Sequence, residues 1–274
     1  MNLKNLLDGL LSENELALLV KSFDVVGDIA ITIIPPELSS REAVIGEAIL
    51  ASNNRIKVVA KRDGNYQGQY RTIALRIIAG ENRLKTEHRE FGVRLLLNLE
   101  RVYFSVRSGT ERKRIADLTT PGEDVLVMFS GVAPYPLMIA RHAQPHCITA
   151  IEINESAHAL ALENCSLNRA EELVDLYCGD VMQVLPQLNR RYHRIIMPFP
   201  NKNADYAALA LLHLKNNGWL HYYDFQTADN YETSVTRLRS ACLAANRELV
   251  DSRIATCGHK SPEIYRICID ARIR

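Results

Sequence analysis

A chain of 274 residues, 47% of them hydrophobic, has material for one large domain or two ordinary ones with a sizeable core. Its formal net charge of +1 excludes a uniformly basic nucleic-acid binder, so polyanion contact must rest on local clustering. No apolar run approaches the ~18 residues of a membrane span, and the N-terminus lacks a signal-peptide cleavage pattern. The six cysteines form no CxxC pair, which points to reduced thiols in a cytoplasmic protein and to neither a disulfide framework nor a metal site.

Residues 1–21 carry leucines at helical spacing (Leu3, Leu6, Leu7, Leu10, Leu11, Leu16, Leu18, Leu19) and predict a helical stub broken near Ser12-Glu13-Asn14. Residues 22–100 read as a small α+β domain. Its opening stretch, 23–34, predicts two strands around the Gly27-Asp28 turn, ended by Pro35-Pro36. Ser39 or Ser40 is expected to cap a helix through Leu50. Further strands are expected at 56–60, 73–78 and 93–99, with a turn-rich segment at 62–68. A basic cluster of Arg71, Arg76, Arg83, Lys85, Arg89, Arg94, Arg101, Arg107, Arg112, Lys113 and Arg114 straddles the join to the next domain. Glu81, Glu87, Glu90, Glu100 and Glu111 dilute it, so it reads either as solvated faces or as a polyanion surface.

Residues 101–274 form the second expected domain, and from Ile115 strand and helix patterns alternate. The apolar run Val125-Leu126-Val127-Met128-Phe129 predicts a buried strand of a parallel sheet. The turn Ser130-Gly131-Val132-Ala133-Pro134, a helix at 135–141, and a strand at 148–151 ending on Glu152 complete a βαβ unit of the nucleotide-binding kind. A helix at 156–168 is expected to turn Ala157, Ala159, Leu160, Leu162 and Leu167 inward. Strands at 174–178, 192–197 and 219–225, helices at 206–214 and 235–246, and a closing antiparallel pair at 250–257 and 264–271 follow. A doubly wound sheet ending in a hairpin is the arrangement of methyltransferases that bind S-adenosylmethionine.

Ligands of open α/β sheets sit at the carboxyl ends of the strands. Those ends carry Ser130-Gly131, Glu152 and Asp180. A carboxylate at Glu152 suits a ribose diol, since it accepts hydrogen bonds from both hydroxyls, and Asp180 suits an adenine amino group. The turn is poorer in glycine than a dinucleotide fingerprint and no P-loop lysine follows, so a nucleoside fits better than a pyrophosphate. On the residues alone, Glu111 reads as a first-turn helix acid that complements the dipole and pairs with Arg114. His88 and His221 read as hydrogen-bonded structural residues, and Tyr222 and Tyr223 as sheet packing.

The segments GENRLKTEHREFG (80–92), YFSVRSGTERKRI (103–115), MFSGVAPY (128–135), AIEIN (150–154), RIIMPFP (194–200) and SPEIYRICIDARI (261–273) keep their order and spacing. In them the chain resembles the archaeal and eukaryotic type of tRNA (guanine-N1)-methyltransferase, which acts on the guanine at position 37 beside the anticodon. The resemblance implies a Rossmann-like class I methyltransferase domain behind a smaller N-terminal α+β RNA-binding domain, with S-adenosylmethionine as cofactor and tRNA as partner of a monomer. Methylation at guanine N1 needs a base to remove its proton, and charge then grows on O6, where a guanidinium can stabilise it. By resemblance the base falls on Glu111 and the O6-facing arginine on Arg71, with Arg76 a competitor. Arg112, Phe129, Gly131, Glu152, Ile153, Asp180, Val181 and Pro198 fall at the cofactor, and Arg107, Arg89 and Lys113 at the RNA.

Four departures accompany the resemblance. Val127 stands where the family has Asp and Ala133 where it has Gly, a change expected to be mild if Ala133 keeps a negative φ. Pro198-Phe199-Pro200 replaces Asn-Leu-Pro, and proline supplies neither a side-chain amide nor an N–H. Only about 20 residues precede the matching region, so the domain that longer members place there is expected to be truncated or replaced by a helical stub. These departures leave two other readings open: modification of a different base, such as a wyosine precursor, and a non-catalytic RNA-binding relative.

Overall fold

Leucines at helical spacing open the chain, and in the structure, a computed structural model describing residues 3–64, 66–199 and 204–274, they form two short helices. Met1, Asn65 of the 62–68 turn and Pro200 lie outside the described residues. The helices are α1 (Leu3–Leu6) and α2 (Glu13–Leu18). The expected break at Ser12 is the start of α2: the Ser12 hydroxyl accepts from Glu15 N at 3.3 Å while the Glu15 carboxylate accepts from Ser12 N at 2.8 Å. This reciprocal capping box satisfies two donors that a helix start otherwise leaves unpaired.

The chain forms two compact units, Met1–Glu90 with Arg94–Val106, and Phe91–Val93 with Arg107–Arg274. In the first, β1 (Asp24–Val26) and β2 (Ile29–Thr32) join α3 (Glu42–Ser52), β3 (Val58–Arg62) and β4 (Leu75–Gly80) in a four-stranded sheet ordered β1-β2-β3-β4. Leu3, Leu7, Leu11, Leu16 and Leu19 pack into the same core as Ala30, Ile45, Ile49 and Val59, so the N-terminal helices are part of this unit.

Neither expected serine caps α3. Pro35 and Pro36 preset φ for an earlier turn, a 3-10 helix over Pro36–Arg41 absorbs both serines, and the Ser39 hydroxyl donates to Pro36 O at 2.6 Å. A strand absent from the sequence reading, β5 (Lys85–Glu90), pairs with β6 (Val93–Asn98). Its charged composition hides it, but Thr86 and His88 accept from the N–H groups of Asp28 and Gly27, each at 3.2 Å. Gly27 has φ +60°, and a Cβ there would fall 2.1 Å from Thr86 Oγ1, so this crossing requires glycine.

The second unit begins with α4 (Gly109–Leu118) and alternates β7 (Asp124–Met128), α5 (Pro134–His142), β8 (Cys147–Glu152), α6 (Glu155–Leu167), β9 (Val174–Cys178), α7 (Val181–Val184), β10 (Tyr192–Met197), α8 (Ala204–His213), β11 (Leu214–Thr227), α9 (Tyr231–Ala244), β12 (Leu249–His259) and β13 (Ile264–Ile273). The seven strands lie in the order β12-β13-β11-β10-β7-β8-β9. The five from β11 to β9 are parallel, and β13 pairs antiparallel with both β11 and β12. The order reverses between β7 and β10, which makes their carboxyl ends the topological switch point.

The apolar strands β7 and β8 are covered on both faces, as their uninterrupted hydrophobic runs require. The inward face of α6 differs from the expected one: Ala157, Ala161, Asn164 and Cys165 are buried, while Ala159 is exposed and Leu162 is 52% exposed. The cause is Asn164, whose amide donates to Val132 O at 3.1 Å. A buried polar group must be paired, and meeting that partner sets the rotation of the helix. No helix among the described residues is long and apolar enough to cross a membrane.

Candidate active site

At the ends of β7, β8 and β9 the backbone and one carboxylate lace three strands together. Ser130 N donates to Ile151 O at 3.0 Å and Gly179 N to Glu152 O at 2.8 Å. The Glu152 carboxylate accepts from Gly131 N at 2.7 Å through one oxygen and from Asn154 N at 2.8 Å through the other. Burial pushes its carboxyl above the usual range, against the backbone N–H groups of Asn154, Gly131 and Ile153, which lower it. Asp180 caps α7, accepting from Met182 N at 2.9 Å. Ile153 is half-buried, and Val181 is buried in the core with Leu126 and Met128, leaving its backbone for any ligand.

The turn after β7 is built from left-handed residues: Phe129 at φ +56°, Gly131 at +57° and Ala133 at +67°. The condition for a mild change, a negative φ at Ala133, is therefore not met. The residue occupies the conformation a glycine adopts freely, because its N–H must donate to Ser130 O at 3.1 Å while its carbonyl receives Leu137 N at 3.0 Å to begin α5. Across the switch point the Phe129 ring meets Phe199 at 5.4 Å and Tyr206 at 5.0 Å. The Pro198 carbonyl accepts from Arg266 Nη2 at 2.9 Å.

This edge suits a nucleoside cofactor. The Ser130 hydroxyl is buried with no partner among the described residues, and a Cβ on Gly131 would meet nothing within 4 Å. An orphaned donor beside open space, flanked by carboxylates at the ends of β8 and β9, matches hydroxyl and amino groups.

The second constellation hangs from α4 over β11 and β13. Cross-strand register pairs His221 with Asp270, Tyr223 with Cys268 and Phe225 with Arg266, so these side chains share one sheet face. Glu111 and Arg114, three residues apart, present one face of α4 to it. Arg114 grips both oxygens of Glu111, Nε to Oε2 at 2.7 Å and Nη2 to Oε1 at 2.8 Å, and also donates to Asp270 at 2.5 and 3.2 Å. The Tyr223 hydroxyl donates to Glu111 Oε1 and receives one from Tyr135 at 3.2 Å. Behind Asp270, His221 contacts its carboxylate at 2.5 Å and Arg194 at 2.6 Å, and Arg194 forks onto Glu123 at 2.6 and 3.0 Å. Arg266 lies 4.4 Å over the Tyr223 ring and donates to the Ser108 hydroxyl at 3.1 Å, which is why Ser108 does not cap α4 with its side chain.

Glu111 is 5% and Arg112 3% exposed. The expected Glu111–Arg114 pair is present, whereas Tyr223 binds Glu111 in addition to packing the sheet. The sequence reading missed Asp270 and Arg266; their only signal was polar residues at period two in an otherwise apolar strand. Lys113 pairs with Asp117, and Arg107 is exposed. In the first unit Arg71 has φ +51° and lies 5.0 Å over the Tyr103 ring, Arg76 is engaged by Glu42 and Asp63, and exposed Arg89 pairs with Glu87.

Residues 86–250 match the TRM5/TYW2 methyltransferase domain and residues 3–83 the TYW2 N-terminal domain. The chain is 34% identical over 255 residues to the tRNA (guanine(37)-N(1))-methyltransferase Trm5b of Pyrococcus abyssi, covering 92% of this chain and 74% of that protein. The crystal structure of that enzyme superposes with a TM-score of 0.87 at 33% identity, over 96% of this chain and 78% of the other. The tRNA 4-demethylwyosine(37)-methyltransferase Taw21 of Saccharolobus solfataricus is 30% identical over 74% of this chain and 77% of its own. A complex of aTrm5 with tRNALeu superposes at TM-score 0.86 and 28% identity, over 100% of this chain and 78% of that one. With both units matched, and with a carboxylate-lined nucleoside edge beside a buried acid, the chain belongs to the TRM5/TYW2 family of S-adenosylmethionine-dependent methyltransferases.

Proposed function

We propose that this protein transfers a methyl group from S-adenosylmethionine to N1 of guanine 37 in tRNA, with Glu111 as the general base. The observation that carries the assignment is the arrangement of donors on Glu111. A carboxylate has two lone pairs on each oxygen. Among the described residues, Oε1 accepts from Arg114 Nη2 and Tyr223, whereas Oε2 accepts from Arg114 Nε alone. One lone pair of a buried, rigidly held carboxylate therefore stays open, and Oε2 is the atom that takes the N1 proton. The cofactor supplies an electrophilic methyl group. Glu152 and Asp180 would hold its ribose and adenine, the turn at Phe129 and Gly131 would cradle it, and Arg112, Ile153, Val181 and Pro198 would complete the pocket.

Arg71 is assigned to the charge that grows on guanine O6. Arg76 is the weaker candidate, because Glu42 and Asp63 already neutralise it. Arg107, Arg89 and Lys113 are assigned to the anticodon region of the tRNA, bound by a monomer in the cytoplasm, with residues 22–100 and the 1–21 helices packed into their core as the RNA-binding domain and 101–274 as the methyltransferase domain. The deciding assay is methylation of transcribed tRNA carrying G37 against a G37-substituted control. Glu111→Gln is expected to bind cofactor and lose on the order of 10²–10⁴ in rate, the usual contribution of a general base; near-normal turnover sinks the assignment.

A second reading, methylation of a wyosine precursor at the same position, is favoured by Pro198 and by the match of residues 3–83 to a TYW2 N-terminal domain. Digestion and mass analysis of tRNA incubated with protein and cofactor separates the two by where the methyl group lands.

A further inference from the structure

The Glu111 carboxylate is one end of a buried chain of alternating partners: Glu111, Arg114, Asp270, His221, Arg194, Glu123. Its proton positions follow from the arginines. A guanidinium only donates, so Arg194 Nη1, 2.6 Å from His221 Nε2, forces that nitrogen to accept. The imidazole proton is then on Nδ1, from which it donates to Asp270 at 2.5 Å. Burial, foremost, pulls the His221 pKa down, and the nearby arginines add to this against the pull of Asp270, so the ring is neutral. Burial opposes charge on Asp270 as well, but the hydrogen bonds from His221 and Arg114 outweigh it and hold the carboxyl well below the usual range. Asp270 is thus a fixed anion that accepts from one imidazole, one guanidinium and, at 3.3 Å, the Cys268 thiol.

His221, Cys268 and Asp270 each offer a ligand atom within 4.8 Å of the others. A metal ion there would have to displace hydrogen bonds from Arg194 and Arg114 and sit between two guanidinium charges, so the cluster is not a cation site.

What the chain does is aim Arg114. The guanidinium is planar, and two carboxylates grip it: Glu111 through Nε and Nη2, Asp270 through Nη1 and Nη2. A bidentate fork fixes the plane of its partner as well as its distance. An i,i+3 pair alone would leave both side chains free to swing on α4. Asp270, 156 positions away on β13, removes that freedom. We infer, resting on the reading of Glu111 as base, that Arg114 is a positioning residue for methyl transfer, set by Asp270 and neutral His221 so that Glu111 presents the open lone pair of Oε2 to the proton it removes.

The test is single-turnover methylation of the G37 transcript by the full-length wild type and by Glu111→Gln, Arg114→Lys, Asp270→Asn, His221→Leu and His221→Asn, each with tRNA and cofactor affinities measured. Arg114→Lys keeps the charge but cannot fork. It and Asp270→Asn are expected to slow transfer about 10²-fold, the cost of a misplaced reacting group, with both affinities within twofold. His221→Asn, which can still donate to Asp270, is expected to recover most of the rate lost in His221→Leu, a rescue that general loosening of the fold does not produce. Transfer within threefold of wild type in both Asp270→Asn and Arg114→Lys, or a loss confined to KM, overturns the inference. A normal Glu111→Gln overturns the base assignment itself, while an inactive Glu111→Gln beside normal Asp270→Asn and Arg114→Lys overturns the positioning role alone. A crystal structure of Asp270→Asn reads the same claim without substrate: a Glu111 carboxylate left in place overturns it.

Discussion

The two edges of the second unit's sheet solve one problem with different materials. At β7, β8 and β9 the ligand edge is made of turns, N–H groups and two carboxylates, Glu152 at the end of β8 and Asp180 after β9, with Glu152 held by backbone. At β10, β11 and β13 the edge is made of charged side chains that hold one another, from Glu123 to Glu111. The first binds by turn and backbone geometry, with Gly131 and Glu152 only 21 positions apart. The second depends on partners up to 156 positions apart, and each member is costly to bury without the next.

The largest expected effect breaks the charged side. Arg194 is 2% exposed and is the partner of both Glu123 and His221. Burial raises the Glu123 carboxyl, but Arg194 outweighs it and keeps the group below its ordinary range. Arg194→Met leaves a buried carboxylate uncompensated and is expected to cost about 3–5 kcal/mol of unfolding free energy, measured by denaturant titration. Arg194→Met combined with Glu123→Leu is expected to recover most of that loss. If the double variant is as unstable as the single, the charge is not what the arginine is there to balance.

Acid separates the edges by sign. The buried His221 has a pKa below its ordinary 6.5, so below that pH the unfolded chain takes up a proton that the folded chain refuses. Stability on this side falls as pH drops below 6.5, and His221→Asn is expected to remove the slope. Glu152 behaves oppositely: its carboxyl is raised by burial, so the folded protein protonates first. Stability rises as pH falls from that raised pKa toward 4.5, a contribution that Glu152→Gln abolishes. Slopes of the same sign in the two variants contradict the division.

The same division explains what the sequence could tell. The unbroken apolar run at 125–129 announced a buried parallel strand, and Glu152 and Asp180 at the ends of the next two strands announced a ligand edge, because both signals are contained in a few consecutive residues. Glu111 and Arg114 were legible as a pair for the same reason. Asp270 and Arg266 were not, since their role depends on the β11–β13 register and on the face that α4 covers. β5 was hidden because its stability comes from Gly27 and Asp28, 58 or more positions away, and not from its own charged residues. The inner face of α6 was misread because one asparagine, by seeking the Val132 carbonyl, outweighed the leucine pattern.

The smallest expected effect lies in the ligand turn and tests how far local geometry constrains it. Ala133 sits at φ +67° and is fully buried. Holding an L-residue in the left-handed region costs about 1–2 kcal/mol, which glycine would relieve. Glycine also gives the unfolded chain more freedom, a loss of about 0.4–1 kcal/mol, and it forfeits a buried methyl group that contributes about 0.8 kcal/mol. The terms nearly cancel, so Ala133→Gly is expected to shift the unfolding free energy by no more than about 0.5 kcal/mol. Ala133→Val adds β-branching to the same φ and is expected to destabilise clearly. A gain well beyond 1 kcal/mol from the glycine variant would mean that strain dominates the turn, and that the ligand edge, like the charged one, is held in place by distant partners and not by its own backbone.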